Sequence, residues 1–286
     1  MSVAEVLDLL RCPRCHRTFS VDGSSVRCAS GHSFDLARQG HLNLLGARPP
    51  AHADSPTMVA ARARFLGSGG YAAVAEALVG AARAGLQTAR RTELSAPALL
   101  EVGAGTGYYT AALVEGLGGR AVALDISAAA ARRAARAHPR LAAVVADAWS
   151  VLPLGDGVVD VVASVFAPRN AAEFARVLRP DGVLVVVTPR PDHLREVRRV
   201  LGLLEIEPGK QERLASSLAG QFSPAAEVDV RFEDSWPRSV VVDLVAMGPN
   251  AFHLDPGELA DRTAGLPDLV PTTVAVAVST WVRRAG

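Results

Sequence analysis

Between Pro97 and Thr188 the chain alternates two patterns of apolar residues. Short uninterrupted apolar runs belong to strands buried on both faces. Stretches with apolar residues every three or four positions belong to helices. The pattern predicts strands over Ala98–Val102, Arg120–Leu124, Ala142–Val145, Val158–Ser164 and Gly182–Thr188. Helices are predicted over Tyr109–Leu117, Ala128–Ala137 and Ala171–Val177. Alternating strands and helices imply an α/β fold with a mostly parallel sheet covered on both faces. Upstream, Ala-rich Met58–Leu66 and Tyr71–Arg83 read as helices. Downstream, Glu227–Phe232 and Thr272–Val282 read as strands, with a helix near Val241–Met247. A late strand pair after a parallel sheet suits an antiparallel edge.

The first 46 residues break this rhythm, being polar and turn-rich with short β-like pieces at Arg17–Val21 and Ser24–Arg27. Residues 47–57 hold three prolines and read as a linker. The expected organisation is a small module over 1–46, the linker over 47–57, and a main domain over 58–286 with a helical lead-in.

Composition narrows the class. A length of 286 residues suggests about one to two domains of roughly 100–200 residues. With 49% apolar and 21% charged residues, wholesale disorder is excluded. A net charge of +1 excludes a general polycation. Lys210 is the single lysine, so any phosphate contact falls to arginine, a planar and permanently charged fork. No apolar run approaches the ~20 residues of a membrane-spanning helix. Met1–Leu10 carries acids and no basic cluster, unlike a signal peptide, so the expected localisation is cytoplasmic.

All three cysteines lie in the first 28 residues. Cys12-Pro-Arg-Cys15 and Cys28-Ala-Ser-Gly-His32 form two knuckles twelve residues apart. Each knuckle grips one side of a metal, and together they close a tetrahedron suited to zinc. Four protein ligands leave no open position, so the expected ion is structural. His32 is preferred to His16 because it completes the second knuckle.

The segment Glu101-Val-Gly103-Ala-Gly105-Thr106-Gly107 follows a strand and opens a helix. Its glycines let backbone N–H groups approach a ligand closely. The spacing departs from the dinucleotide fingerprint, and no G-K-[ST] follows, which excludes a P-loop. Asp125 ends the next strand, placed to hold a ribose diol. Asp147 ends a further strand, where an acid can accept from an adenine amino group.

As a set, Glu101, the three glycines, Asp125 and Asp147 resemble the class I S-adenosylmethionine-dependent methyltransferases over roughly Pro97–Pro189. That resemblance implies a Rossmann-like sheet and S-adenosylmethionine as cofactor. In that family Glu101 would support the loop from beneath. With the cysteine knuckles added, the chain resembles the zinc-containing guanine-N1 methyltransferases that modify a hairpin loop of 23S ribosomal RNA. The matching stretches are Cys12–Cys15, Cys28 with His32–Leu45, Met58-x3-Arg62-x2-Phe65 through Tyr71, Val165–Asn170, and Pro189-x2-Asp192-His193. A weaker match lies at Val245–Pro249. The resemblance is closest to the actinobacterial branch associated with tylosin-type macrolide resistance. One departure is His41, where the family commonly carries tyrosine.

The resemblance implies cofactor contacts at Tyr71, Gly105, Thr106 and His193. Guanine N1 carries a proton at neutral pH, so a base or an anion-stabilising site is expected. Residues 165–170 are expected to line the base pocket, with Asn170, Glu173 or His193 as candidate catalytic groups. The zinc module is the expected RNA reader: residues 1–70 hold eight arginines against five acids. No membrane partner is expected, and a homodimer is left open. The competing readings are a small-molecule methyltransferase acting on a quinone or natural product, and a non-catalytic zinc-dependent RNA-binding protein.

Overall fold

A computed structural model of the chain describes residues 3–45, 53–89, 96–203, 206, 209–248 and 256–284. A 3-10 turn at Val3–Val6 leads to a small antiparallel sheet of β1 (Phe19–Asp22), β2 (Ser25–Cys28) and β3 (Ser33–Asp35). After β4 (Leu42–Asn43) come α1 (Pro56–Gly67) and α2 (Ala72–Thr88). Then follow β5 (Ala98–Val102), α3 (Tyr108–Leu117), β6 (Arg120–Asp125), α4 (Ala128–Ala134) and β7 (Leu141–Val145). The second half carries β8 (Val159–Val165), α5 (Ala171–Val177), β9 (Leu178–Pro189), α6 (Arg195–Leu201) and α7 (Lys210–Leu218). The chain closes with β10 (Phe222–Pro237), α8 (Arg238–Ala246), α9 (Pro256–Ala264) and β11 (Leu269–Arg283).

Eight strands form the main sheet in the order β10-β11-β9-β8-β5-β6-β7-β4. Strands β4 through β9 in this sheet run parallel, with Leu100 opposite Val122 on one side and Val162 on the other. Strand β11 inserts antiparallel between β9 and β10, giving the expected antiparallel edge. This is the class I methyltransferase fold. The strand order reverses at β5, where a ligand crevice opens outside the carboxyl ends of the strands. The Gly-rich loop leaves β5 at that point.

The strands are buried on both faces, which is why they read as continuous apolar runs. Along β5, Ala98, Leu100 and Val102 enter one core cluster, and Leu99 enters another with α2, α3 and α8. Each fully buried aliphatic side chain stabilises the fold by roughly 1.5–3 kcal/mol relative to exposure.

The N-terminal segment shares the first of these cores. Val6, Leu10, Cys12, Phe19 and Phe34 belong to the same buried cluster as Leu100, Val122 and Val144. Strand β4 pairs with β7, Leu42 opposite Val144 and Asn43 opposite Val145, and so becomes the outer strand of the main sheet. Arg120 on β6 binds the Asp8 carboxylate at 2.8 Å.

Some boundaries differ from the sequence pattern. Helix α1 starts inside the Pro-rich stretch, because Ser55 caps it through the Met58 N–H and Pro56 takes the first helical position. Residues 47–52 of that stretch lie outside the described residues. Helix α4 stops at Ala134, three residues short of the apolar pattern, and tightens into a turn before Pro139. Helices α6, α7 and α9 were not expected; α7 and α9 are too polar for apolar periodicity to mark them. No single helix is long and apolar enough to cross a membrane.

Candidate functional site

The two knuckles close on each other. Cys12 and Cys28 lie 3.5 and 3.4 Å from His32 Nδ1, and the Cys15 and Cys28 sulfurs are 3.5 Å apart. All four ligand atoms fall within 4.8 Å of one another. A tetrahedral zinc, with Zn–S near 2.3 Å and Zn–N near 2.0–2.1 Å, needs its ligand atoms roughly 3.4–3.8 Å apart. Three of these pairs already match that spacing, so the donor set fits zinc, and four protein ligands make the site structural. Backbone bonds shape both knuckles: Cys12 O accepts from His16 N–H, and Cys28 O from Gly31 N–H. The Cys15 thiol is pushed down to about 6, chiefly by the Arg17 backbone N–H, so it is readied as a thiolate ligand.

At the other end of the shared core, the Gly-rich loop is pulled tightly onto the sheet. Gly103 and Ala104 both donate to Leu124 O. Gly103 has φ +73°, and a Cβ there would stand 2.4 Å from the Ala167 Cβ. Gly105 has φ +54° and lies beneath the Arg62 side chain. Asp125 Oδ2 accepts the Gly105 N–H at 2.7 Å, and its Oδ1 accepts the Ser127 N–H at 2.8 Å. Burial raises the Asp125 carboxyl, and these two donors offset only part of the effect. Asp147 holds its own loop by accepting from Trp149 N–H and the Ser150 hydroxyl. Thr106 is buried at the loop.

Glu101 lies beneath the loop, where Thr110 donates to its Oε2. Burial pushes its carboxyl up to about 8, so it is protonated at neutral pH. Its Oε1, the Tyr109 hydroxyl and the Arg62 Nε are all buried without a hydrogen-bond partner. These are half of the six such side-chain atoms among the described residues, and they share one neighbourhood. A cluster of unmet polar atoms around a glycine cradle, with acids at two strand ends, fits a polar nucleoside ligand. The residues thus suit S-adenosylmethionine, the cofactor of this fold class.

Tyr71 and His193, 122 residues apart in sequence, meet beside this cradle. The Ala275 backbone N–H donates to His193 Nδ1 at 3.2 Å, so the ring proton sits on Nε2. Nε2 then donates to the Tyr71 hydroxyl oxygen at 2.9 Å. Burial pushes the Tyr71 phenol far above its ordinary value, so it stays neutral. Phe166 stacks on His193 with ring centroids 6.0 Å apart and 22° between planes. It is 40% exposed and has φ +53°, a backbone conformation that costs a non-glycine residue about 1–3 kcal/mol.

Asn170 and Glu173 occupy other positions. The Asn170 side chain caps α5 and donates to the carbonyls of Ala148, Trp149 and Ser150. Glu173 accepts from Leu152 N–H and pairs with Arg176 at 2.6 Å. Burial raises the Glu173 carboxyl, but Arg176 and the Leu152 N–H outweigh it and hold the group below the ordinary carboxylate range. Both side chains are built into the loop scaffold. Sequence reasoning did not single out Arg62 or Phe166 individually; the one signal for Phe166 was its place in the loop after a central strand.

Comparison with known proteins bears on both ends of the chain. Residues 100–186 match the family described as "Methyltransferase domain", and residues 10–50 match the family described as "RlmA, N-terminal". The chain is 43% identical over 273 residues to the 23S rRNA (guanine(748)-N(1))-methyltransferase of Streptomyces fradiae, covering 95% of each. It is 44% identical over 289 residues to a Micromonospora griseorubida protein named provisionally as a 23S rRNA (guanine-N(1)-)-methyltransferase, covering 97% of this chain and 98% of that one. A similarly named Bacillus subtilis protein is 33% identical over 204 residues, 68% of each.

Two outcomes follow. Because the zinc-binding segment shares a core and an outer strand with the main sheet, chelating the metal or making Cys28→Ser should lower the melting temperature of the whole chain. Calorimetry checks this, and an unshifted main transition would refute it. Glu101 is protonated in the folded chain up to about pH 8 but ionises near its ordinary value when unfolded. Its contribution is therefore fully present below about pH 4 and is lost as pH rises toward 8. Glu101→Gln should gain thermal stability over the natural chain progressively from pH 5 to pH 9, measured by melting curves across that range.

Proposed function

The chain belongs to the 23S rRNA (guanine-N1)-methyltransferase family, and from that membership we propose that it methylates N1 of the guanine corresponding to position 748 in a hairpin loop of 23S ribosomal RNA. Full-length similarity to the Streptomyces fradiae enzyme carries this reading. The resemblance to the tylosin-associated branch supports tolerance of tylosin-type macrolides as the outcome of this methylation. A ribosomal RNA substrate supports a cytoplasmic location.

Bound S-adenosylmethionine supplies a methyl group already activated by its sulfonium. The protein's task is to position that group, exclude water and hold the target base. The Gly-rich loop takes the amino-acid portion, Asp125 the ribose diol, and Asp147 the adenine amino group. Tyr71, fixed by His193, closes over the sulfonium end, where an aromatic face beside a cation is favourable by roughly 0.5–2 kcal/mol. With the His193 Nδ1 lone pair committed to Ala275 N–H, His193 orients Tyr71 rather than taking the guanine N1 proton. Asn170 and Glu173 hold the neighbouring loop.

Phe166 offers the target guanine a stacking face. Its strained backbone keeps the ring at the pocket mouth, against Tyr71 and His193. A loop guanine can be splayed out of its stack at modest cost, which suits recognition of single-stranded RNA.

Arginines that lack carboxylate partners supply the RNA contact. Arg17 and Arg38 on the zinc-binding module, and Arg132, Arg133 and Arg136 around α4, are exposed and pair with no acid among the described residues. The two groups adjoin: a Cβ on Gly40 would touch Ala135, and Arg132 acts on His41 through its charge. Phosphates along this face would make binding strongly salt-dependent.

Mass mapping of 23S RNA, unmodified and then treated with the purified enzyme and S-adenosylmethionine, tests the reading. One N1-methylguanine is expected in the fragment holding position 748, and its absence would refute the assignment. Phe166→Ala should lower kcat/KM by roughly 5–150-fold, the range of one base–aromatic stack of about 1–3 kcal/mol, with cofactor affinity unchanged.

A further inference from the structure

Arg62 on α1 is the cation that faces the cofactor cradle from outside the sheet. Its Cδ lies 3.1 Å, and its Nε 3.5 Å, from where a Gly105 Cβ would stand. The side chain thus lies flat on the middle glycine of the loop. Its charge acts on Tyr71, Glu101, Tyr109 and Asp125, four groups that surround the pocket.

Two observations distinguish Arg62 from an ordinary surface ion pair. Its guanidinium is anchored from behind, with Nη2 donating to Asp54 Oδ2 at 2.6 Å and to Met247 O at 3.0 Å. That leaves the Nε–H buried without an acceptor. Leaving a buried charged donor unmet is costly, and native structures seldom keep one unless a ligand completes it. The charge balance of the pocket points the same way. Arg62 lies beside the acids Asp54 and Asp125, so a ligand carboxylate entering next to Gly105 would find a cation there to face it.

Resting on the methyltransferase reading, we propose that Arg62 binds the carboxylate of the amino-acid portion of S-adenosylmethionine, with the orphaned Nε–H as the donor. A charge-assisted bond from a planar guanidinium to a carboxylate is the strong kind, and its fixed geometry orients as well as holds. Asp54 is then a positioning residue. Its carboxylate fixes the guanidinium, and its backbone carbonyl accepts the Ser127 hydroxyl, tying the lead-in of α1 to the cap of α4. The contact would also set the methionine chain against Gly105.

The test compares two ligands that differ in the amino-acid portion. S-adenosylhomocysteine carries the carboxylate; 5′-methylthioadenosine keeps the nucleoside and sulfur but has none. Titration calorimetry on the full chain should show Arg62→Met weakening S-adenosylhomocysteine at least tenfold while changing 5′-methylthioadenosine less than about twofold. Arg62→Lys, which keeps the charge, should recover part of the loss. Equal weakening of both ligands, or of neither, would overturn the proposal. If the natural chain binds neither ligand, the methyltransferase reading itself fails. Melting curves with and without each ligand repeat the comparison without relying on turnover.

Discussion

The Asp125 carboxylate is the fixed point of the Gly-rich loop. It ends β6 and accepts one N–H from the Gly-rich loop and one from the cap of α4. Ser127 carries the connection onward to Asp54, Asp54 grips Arg62, and Arg62 lies back on Gly105. The result is a closed circuit through three separate segments of chain: the Gly-rich loop, the β6–α4 junction and the start of α1. The last link is van der Waals packing and the others are ordinary hydrogen bonds or ion pairs, whose partial burial raises the stake, because breaking one would leave a polar group without solvent. The loop's shape is therefore set largely before any ligand arrives. Pre-organisation of this kind lowers the ordering cost of binding.

Much of this was legible in the sequence, for identifiable reasons. Strands β5, β6 and β8 are buried on both faces, so apolar residues dominate them, broken only by buried groups such as Glu101 and Asp160, and their positions follow directly. The zinc ligands were legible because each knuckle is local, fixed by two-residue and three-residue spacers. Strand β4 was not: two residues carry no periodicity, and its partner β7 lies a hundred positions away. The Tyr71–His193 pair is equally distant in sequence and was reached only through resemblance. Arg62 stood in a matching stretch, yet its position over Gly105 depends on how α1 folds back across the loop. Of the candidate catalytic groups, Asn170 and Glu173 were chosen for residue type in a promising loop. Their partners, Ala148–Ser150 and Leu152 with Arg176, could not be read from spacing.

The metal and the sheet support each other. A segment of some 45 residues cannot bury enough apolar surface to fold alone, and a structural zinc supplies folding free energy directly. Here the segment also sends Val6, Leu10 and Phe19 into the core of the main sheet and adds its outer strand. Strand β4 covers the edge of β7 that would otherwise be open to pairing with another chain. The knuckles are thus held at a fixed distance from the Gly-rich loop, unlike a module on a flexible tether. A rigid spacing matters for an enzyme that must grip a structured RNA at one place and reach a single base at another.

Near-zero net charge and an RNA substrate are compatible once the arginines are sorted by what they touch. Arg62, Arg64, Arg120, Arg176, Arg179 and Arg190 are each paired with a carboxylate, so their charges cancel locally. Such pairs contribute little to the field outside the protein. Arg17, Arg38, Arg132, Arg133 and Arg136 have no such partner among the described residues, and their positive potential reaches solvent. At physiological ionic strength the field of a charge decays within about 8 Å, so a polyanion responds to the nearest unpaired arginines rather than to the total. The sum of charges over 286 residues is therefore a poor guide to a nucleic-acid partner, and the distribution of unpaired ones is a better guide. On the proposed reading, the same residue type serves both ends. Paired with acids it locks the cofactor loop, and unpaired it faces the RNA.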